Sequence, residues 1–189
     1  MGAGDTGRFT DIFKEMKIAL CLSGIAGGTT GKGGKGETVN PEIAFKLFGE
    51  HILKRNNVDI FFHSWSLDCG DKLVKLYDPA RYILEPQITF SDDPYTHRAH
   101  SRWYSTQKSI GLVNDRYDFI LLSRFDVAFF TDIDYRKYDP GYFYASHWND
   151  TGNRENHREG FLDFWFFGGA DIMIAVSYTH LTLPTILLV

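Results

Sequence analysis

The apolar positions of this chain fall into short runs separated by polar and glycine-rich stretches, and the runs switch between two periods. Lys17 to Leu22 has the length and composition of a buried strand, and a glycine-rich loop from Gly24 to Gly36 follows it. From Pro41 the period lengthens. Ile43, Phe45, Leu47, Phe48, Ile52 and Leu53 predict a helix, with Asn40 as N-cap and Pro41 at its first position. Asn56-Asn57 ends that pattern, and Val58 to Phe62 predicts a second strand closing in His63, Ser64 and Trp65. Leu73 to Leu76 and Tyr82 to Leu84 predict a short helix and then a strand. Ile88 to His97 reads as a polar loop, and His100 to Val113 as a second helix with Trp103, Ile110 and Val113 facing inward. Strands at Phe119 and over Tyr142 to Ser146, a charged loop from Thr151 to Gly160 and an aromatic run from Phe161 to Gly169 complete the pattern. Strands alternating with helices predict an α/β fold with a mainly parallel sheet. No internal repeat is visible.

The segment Asp115 to Asp134, DRYDFILLSRFDVAFFTDID, breaks this pattern most sharply. The apolar run Phe119 to Leu122 gives way to Arg124 and Asp126, two residues apart and therefore on one face of a strand. A buried parallel strand that suddenly presents charge has reached its carboxyl end, where open α/β sheets bind ligands. Asp132 and Asp134 follow. Acid at such a place suits a divalent cation, and a cation suits phosphate. The other reading of Asp126 is a salt bridge with Arg124 that satisfies two buried charges.

Composition narrows the field. The chain has 189 residues, 43% hydrophobic and 16% aromatic, enough for one domain with a real core. Its 20 basic and 24 acidic residues give a net charge of −4, which is no polyanion-binding surface and sets nucleic acid aside as a partner. Cys21 and Cys69 make no disulfide framework and stand in no metal-ligand spacing, so a reducing cytosol is expected. No run approaches the ~20 apolar residues of a membrane span, which predicts a cytoplasmic chain with no integral membrane segment and leaves peripheral attachment open.

Both ends read differently from the middle. Residues 1–15 are Gly-rich and polar, and Met16 opens MKIALCLSG, so the domain is expected to start there, after an extension or a misplaced start. Val176 to Thr185, VSYTHLTLPT, resembles the translation of a transposase sequencing adapter. The expectation is therefore a domain over 16–175, incomplete at its C-terminus, with 176–189 as an artefactual tail; the competing reading is a natural strand.

Three further features carry chemistry. Lys32 to Thr38, KGGKGET, resembles a deviant Walker motif, but Glu37 stands where the phosphate-binding lysine belongs and would repel what that lysine holds. The loop is then either a mobile surface segment or a lid that closes over phosphate with Lys32, Lys35 and backbone N–H groups. His63 and Trp65 close the second strand, where they either line a pocket or serve the core. Asp163 stands in an apolar run between Leu162 and Phe164. Aromatic surroundings disfavour an ionised carboxylate, which suits a general base near neutral pH, and a structural Asp capping the next turn is the alternative.

The segments KIALCLSG, VDIFFHSW, RYDFILLSRFDVAFF and FLDFWFFGGADIM occur in that order. Together they resemble a glycosyltransferase-like group of bacterial, phage and giant-virus proteins associated with surface polysaccharide synthesis, itself similar to GT-A glycosyltransferases. Tyr117, Asp118, Arg124, Phe125 and Asp126 match its third block, His63 and Trp65 its second, and Asp163, Phe166 and Gly168 its fourth. Ile25 and Ala26 stand where the group carries Gln and Arg, and Arg124 occupies the first acidic position of a plain Asp-x-Asp motif.

The resemblance implies a GT-A-like, Rossmann-like sheet flanked by helices and transfer of a sugar from a nucleotide-sugar donor to a glycan or lipid-linked acceptor. It implies Mg²⁺ or Mn²⁺ on Asp126, helped by Asp132 or Asp134, and substrate contacts from Ser23, Gly24, His63, Trp65 and Arg124. Asp163 would take the acceptor proton, with inversion if attack is a single step and a retaining route left open. The alternative is a non-catalytic carbohydrate- or nucleotide-binding module of the same fold.

Overall fold

The computed structural model describes residues 16–27, 40–114, 116–147 and 161–182 and, within that last stretch, the side chains of 164–178. The elements in chain order are β1 (Lys17–Gly24), α1 (Pro41–Phe48), β2 (Asn57–Ser64), α2 (Gly70–Tyr77), β3 (Arg81–Leu84), α3 (Pro94–Ile110), β4 (Phe119–Arg124), β5 (Phe143–His147), β6 (Phe161–Gly169) and α4 (Ala170–Thr182). One π turn, Gly49–Leu53, extends α1. The six strands form one sheet in the order β3-β2-β1-β4-β6-β5. The pairs β1/β2, β1/β4 and β2/β3 are parallel, and β6 runs antiparallel to both β4 and β5. The fold is thus α/β, with a mainly parallel sheet flanked by helices.

Alternation along the strands builds two cores. One face carries Ile18, Leu20, Leu22, Ile60, Phe62, Phe119, Leu121 and Phe167, covered by Ala44 and Phe48 of α1, Ile52, and Leu73 and Tyr77 of α2. The other carries Ala19, Cys21, Phe61, Ile120, Leu122 and Phe166, covered by Ile110 of α3 and Met173 of α4. Each large apolar side chain buried here contributes about 1.5–3 kcal/mol relative to exposure. Burial also pushes the Cys21 thiol up to about 12, so it behaves as core and not as a nucleophile.

The path of the chain explains where α3 lies. From β1 it steps outward through β2 to β3, with α1 and α2 on one face, and then returns across the sheet to place β4 on the free side of β1. Parallel crossovers are right-handed, so reversing the direction of travel puts the connecting helix on the opposite face. The carboxyl ends of β1 and β4 consequently form the point at which the strand order reverses, the usual ligand crevice of open α/β sheets.

Two boundaries differ from the sequence expectation. Helix α3 begins at Pro94, because Asp93 Oδ2 accepts the Thr96 N–H at 2.8 Å and Pro94 fills the first helical position, so Pro94 to His97 at the end of the predicted loop are helix. The run Phe161–Gly169 is antiparallel, a choice that a continuous apolar stretch leaves undetermined. The N-cap predicted for α1 is present, with Asn40 Oδ1 accepting Glu42 N–H at 3.0 Å. The adapter-like boundary at Val176 falls inside α4.

Candidate functional site

At the carboxyl edge of the sheet, three residues lie side by side in register. His63 of β2 pairs with Ser23 of β1, and Ser23 pairs with Arg124 of β4. Residues in register on parallel strands share a face, and here it is the face of Cys21, Phe61 and Leu122, the one covered by α3. Helix α3 meets this row with a polar stripe. Ser101, Ser105 and Ser109, spaced four apart, and Thr106 are all buried. Their small side chains let the helix approach the sheet while supplying hydroxyls to the strand ends.

The contacts form one connected network. Arg102 Nη1 donates to Ser23 Oγ at 2.8 Å, and Ser23 Oγ lies 3.4 Å from Thr106 Oγ1. The Gly24 N–H donates to Ser105 Oγ at 2.8 Å, and Ser105 Oγ lies 2.7 Å from His63 Nδ1. His63 Nε2 is 2.9 Å from Glu85 Oε1, just beyond β3. An ionised Glu85 only accepts, so His63 carries its proton on Nε2, and Nδ1 accepts the Ser105 hydroxyl proton. Burial is the main force on His63 and holds its pKa below the usual histidine value, against the opposing pull of Glu85. Burial pulls Glu85 upward, but hydrogen bonds from His63 and Tyr104 outweigh it and leave that carboxyl below its usual range.

The first loop is anchored from the same edge. Gly24 takes φ +101°, a backbone region open to glycine and strained for other residues. Its carbonyl accepts the Ser64 hydroxyl at 2.9 Å and the Trp65 N–H at 3.3 Å. Ser66 Oγ accepts the N–H groups of Ala26 and Gly27 at 3.0 and 3.3 Å and donates to the Gly27 carbonyl at 2.9 Å. Trp65 stacks on Tyr104 at 5.5 Å between ring centroids and sets its edge against His63. Ser23, Gly24, His63, Trp65 and Arg124 therefore stand at one edge. His63 itself is fully buried and held at both nitrogens, so it positions its neighbours and has no face toward solvent.

The acidic residues are distributed differently. Arg124 and Asp126 form a fork, Nε to Oδ1 at 2.7 Å and Nη2 to Oδ2 at 2.5 Å, and the guanidinium lies 5.6 Å from the Phe164 ring centroid. Asp132 and Asp134 are carried away from it. After β4 the chain runs back over the first core face, with Phe129 against Phe48 and Tyr135 against Phe119 and Phe167. It docks beside the start of β2, where Ile133 N–H donates to the His51 carbonyl and Asn56 Nδ2 donates to the Ile133 carbonyl. Asp132 is bound there by His51 at 2.8 Å and Arg55 at 2.5 Å, and Asp134 by Arg136 at 2.7 Å. Hydrogen bonding from His51 holds the Asp132 carboxyl below its usual range, and Arg136 does the same for Asp134.

The expected metal trio is thus split between opposite edges of the sheet. Among the described residues no group of three His, Cys, Asp or Glu side chains stands together to hold a metal. Asp126 has both oxygens in the Arg124 fork, and a fixed guanidinium beside it disfavours a second cation. These donors do not fit the Mg²⁺ or Mn²⁺ that the resemblance implies.

The chain matches no family model and no curated protein sequence. Among solved structures it is similar to 4-diphosphocytidyl-2C-methyl-D-erythritol synthase from Anaerococcus prevotii, over 89% of this chain and 76% of that one, with 13% identity and a TM-score of 0.49. No described helix is long and apolar enough to cross a membrane.

Sequence reasoning missed Arg102, Ser105, Tyr104 and Glu85. The available signal was the Ser101-Ser105-Ser109 spacing, which marks a polar helix face opposite strand ends. Asp163 lies on β6 with its side chain outside the described residues, as do Lys32, Lys35 and Glu37 of the glycine loop.

Proposed function

We propose that this chain is a nucleotide-sugar-dependent glycosyltransferase acting in surface polysaccharide or glycan synthesis, with a glycan or lipid-linked acceptor. The observation that supports this reading best is the in-register row His63, Ser23 and Arg124 at the point where strand order reverses. Open α/β sheets bind ligands there, and Ser23, the Gly24 turn and two guanidinium groups suit an anionic ligand rather than a neutral one.

In the proposed reaction the bond between the anomeric carbon and the donor phosphate oxygen breaks, and its electron pair stays on the nucleoside diphosphate. The acceptor hydroxyl oxygen forms the new bond, and its proton passes to Asp163. Arg124 faces the developing diphosphate charge, Asp126 fixes the plane of that guanidinium, and the His63–Ser105 link holds the Gly24 turn in place.

The test is turnover of a nucleotide-sugar panel by the full chain with glycan and lipid-linked acceptors, read as released nucleoside diphosphate and glycosylated product. Transfer from one donor is expected. Donor or glycan binding without transfer or donor hydrolysis would instead identify a non-catalytic module, and no donor binding at all would overturn the reading.

A further inference from the structure

We propose that the donor's diphosphate is held by a clamp of two guanidinium groups, Arg102 of α3 and Arg124 of β4, standing in for a divalent cation. This inference rests on the glycosyltransferase reading above and deepens it.

Both arginines stand at the Ser23 end of the strand row, Arg102 in contact with Ser23 and Arg124 beside it in register. Arg102 reaches across from α3 to place Nη1 2.8 Å from Ser23 Oγ. Arg124 is the register partner of Ser23 on the neighbouring strand, about 4.8 Å away along the hydrogen-bonding direction, and points to the same face of the sheet. The two residues therefore reach the same strand edge from different elements, Arg102 over Ser23 of β1 and Arg124 with its guanidinium held by Asp126 and lying over Phe164 of β6. Two cations at one strand edge match two linked phosphates better than one carboxylate, with the Nη side of Arg124 turned to phosphoryl oxygen while Asp126 holds its Nε side. A guanidinium also stays charged at any working pH, so the clamp needs no proton or metal to be ready.

The acidic residues fit the same picture. A cation site for diphosphate needs carboxylates gathered at the strand end, and here Asp132 and Asp134 are bound by His51, Arg55 and Arg136 at the opposite edge. Of the three, Asp126 stays at this edge and grips Arg124 through both oxygens. Its part is that of a positioning residue: it fixes the guanidinium plane and limits its rotation. Fixed positive groups aimed at the departing diphosphate would stabilise the charge that develops there without reorganising.

Titration calorimetry of the full chain with a panel of nucleoside diphosphates, once in EDTA and once in Mn²⁺, tests the clamp. The expected result is binding of one member with the same affinity in both buffers. Arg102→Gln and Arg124→Gln should each weaken it by about 10- to 100-fold, the scale of a hydrogen bond to a charged group. Thermal melts check that each variant folds, and Arg102→Lys and Arg124→Lys, which keep charge and bulk, serve wherever a glutamine variant does not. They should recover only part of the affinity, because an ammonium lacks the fork. Binding that appears only with Mn²⁺ overturns the clamp and leaves the donor-binding reading standing. Metal-independent binding that folded variants retain also overturns it. Absence of any nucleoside diphosphate binding in both buffers overturns the underlying reading itself.

Discussion

His63 Nε2 donates to Glu85 Oε1 across 2.9 Å, and the ring that makes this bond is closed off from water. The pair joins the end of β2 to the residue after β3, and through Ser105 it reaches the Gly24 backbone. It ties three strand ends to one helix.

That pair predicts a pH dependence of stability. The folded-state pKa of His63 lies below the ordinary histidine value of 6.5, so the unfolded chain binds a proton more readily. Stability is then fully present above about 6.5 and is lost as pH falls through the lowered folded value. Glu85 is also depressed, from 4.5, and extends the loss further into acid. The Lys108 charge adds to the depression of both groups. Melting temperature measured from pH 8 to pH 4 should fall in two stages, and His63→Gln should remove the first. A flat profile between pH 7 and pH 5.5 would count against the buried neutral imidazole.

A second prediction concerns the turn into α4. A Cβ on Gly169 would collide with the Pro140 carbonyl oxygen, which already accepts the Gly169 N–H at 3.1 Å. Backbone cannot yield as a side-chain tip does, so Gly169→Ala should destabilise by about 1–3 kcal/mol, the usual cost of overpacking. Urea unfolding would measure it, with an unchanged midpoint as the contrary result.

Tyr135 offers the opposite sign. Its ring is fully buried against Phe119, Tyr138 and Phe167, and its hydroxyl has no hydrogen-bond partner among the described residues. Burial drives its pKa well above the ordinary tyrosine value. Tyr135→Phe removes an unsatisfied polar atom and leaves the packing, so it should be neutral or stabilising by up to about 1–3 kcal/mol. A clear loss in calorimetric melting temperature would reveal a partner for that oxygen.

Asp163 is the chemical prediction. If it takes the acceptor proton, Asp163→Asn should lower turnover by roughly 10²- to 10⁴-fold while donor binding persists, and the acidic limb of the pH–rate profile should disappear. Normal turnover in the variant would assign the residue to structure.

What the sequence reveals of this site depends on which physical signal each residue leaves. Arg124 and Asp126 were legible because charge interrupts a buried run at a strand end. His63 and Trp65 were legible from the same position on β2. The inward face of α3 was not, since helix periodicity is read from apolar residues and this helix turns Ser101, Ser105, Thr106 and Ser109 toward the sheet. Arg102 was invisible for a related reason: its role comes from packing between α3 and β1, 79 residues apart along the chain. Asp132 and Asp134 depart from the sequence expectation because nearness in sequence is not nearness in space. The chain instead turns back over the Phe48–Phe129 contact and delivers them to the other edge.

The central position of β1 has a consequence during synthesis. Its first edge is filled early, by β2, but its second waits for β4; the bond from Lys17 N–H to Asp118 Oδ2 spans 101 residues. At ribosomal speeds of roughly 5–20 residues per second, a nascent chain holds that edge open for on the order of 5–20 seconds. Ile18, Leu20 and Leu22 lie along it. Slow translation prolongs the exposure of an unpaired apolar strand, the kind of edge that pairs with other chains when its own partner is late.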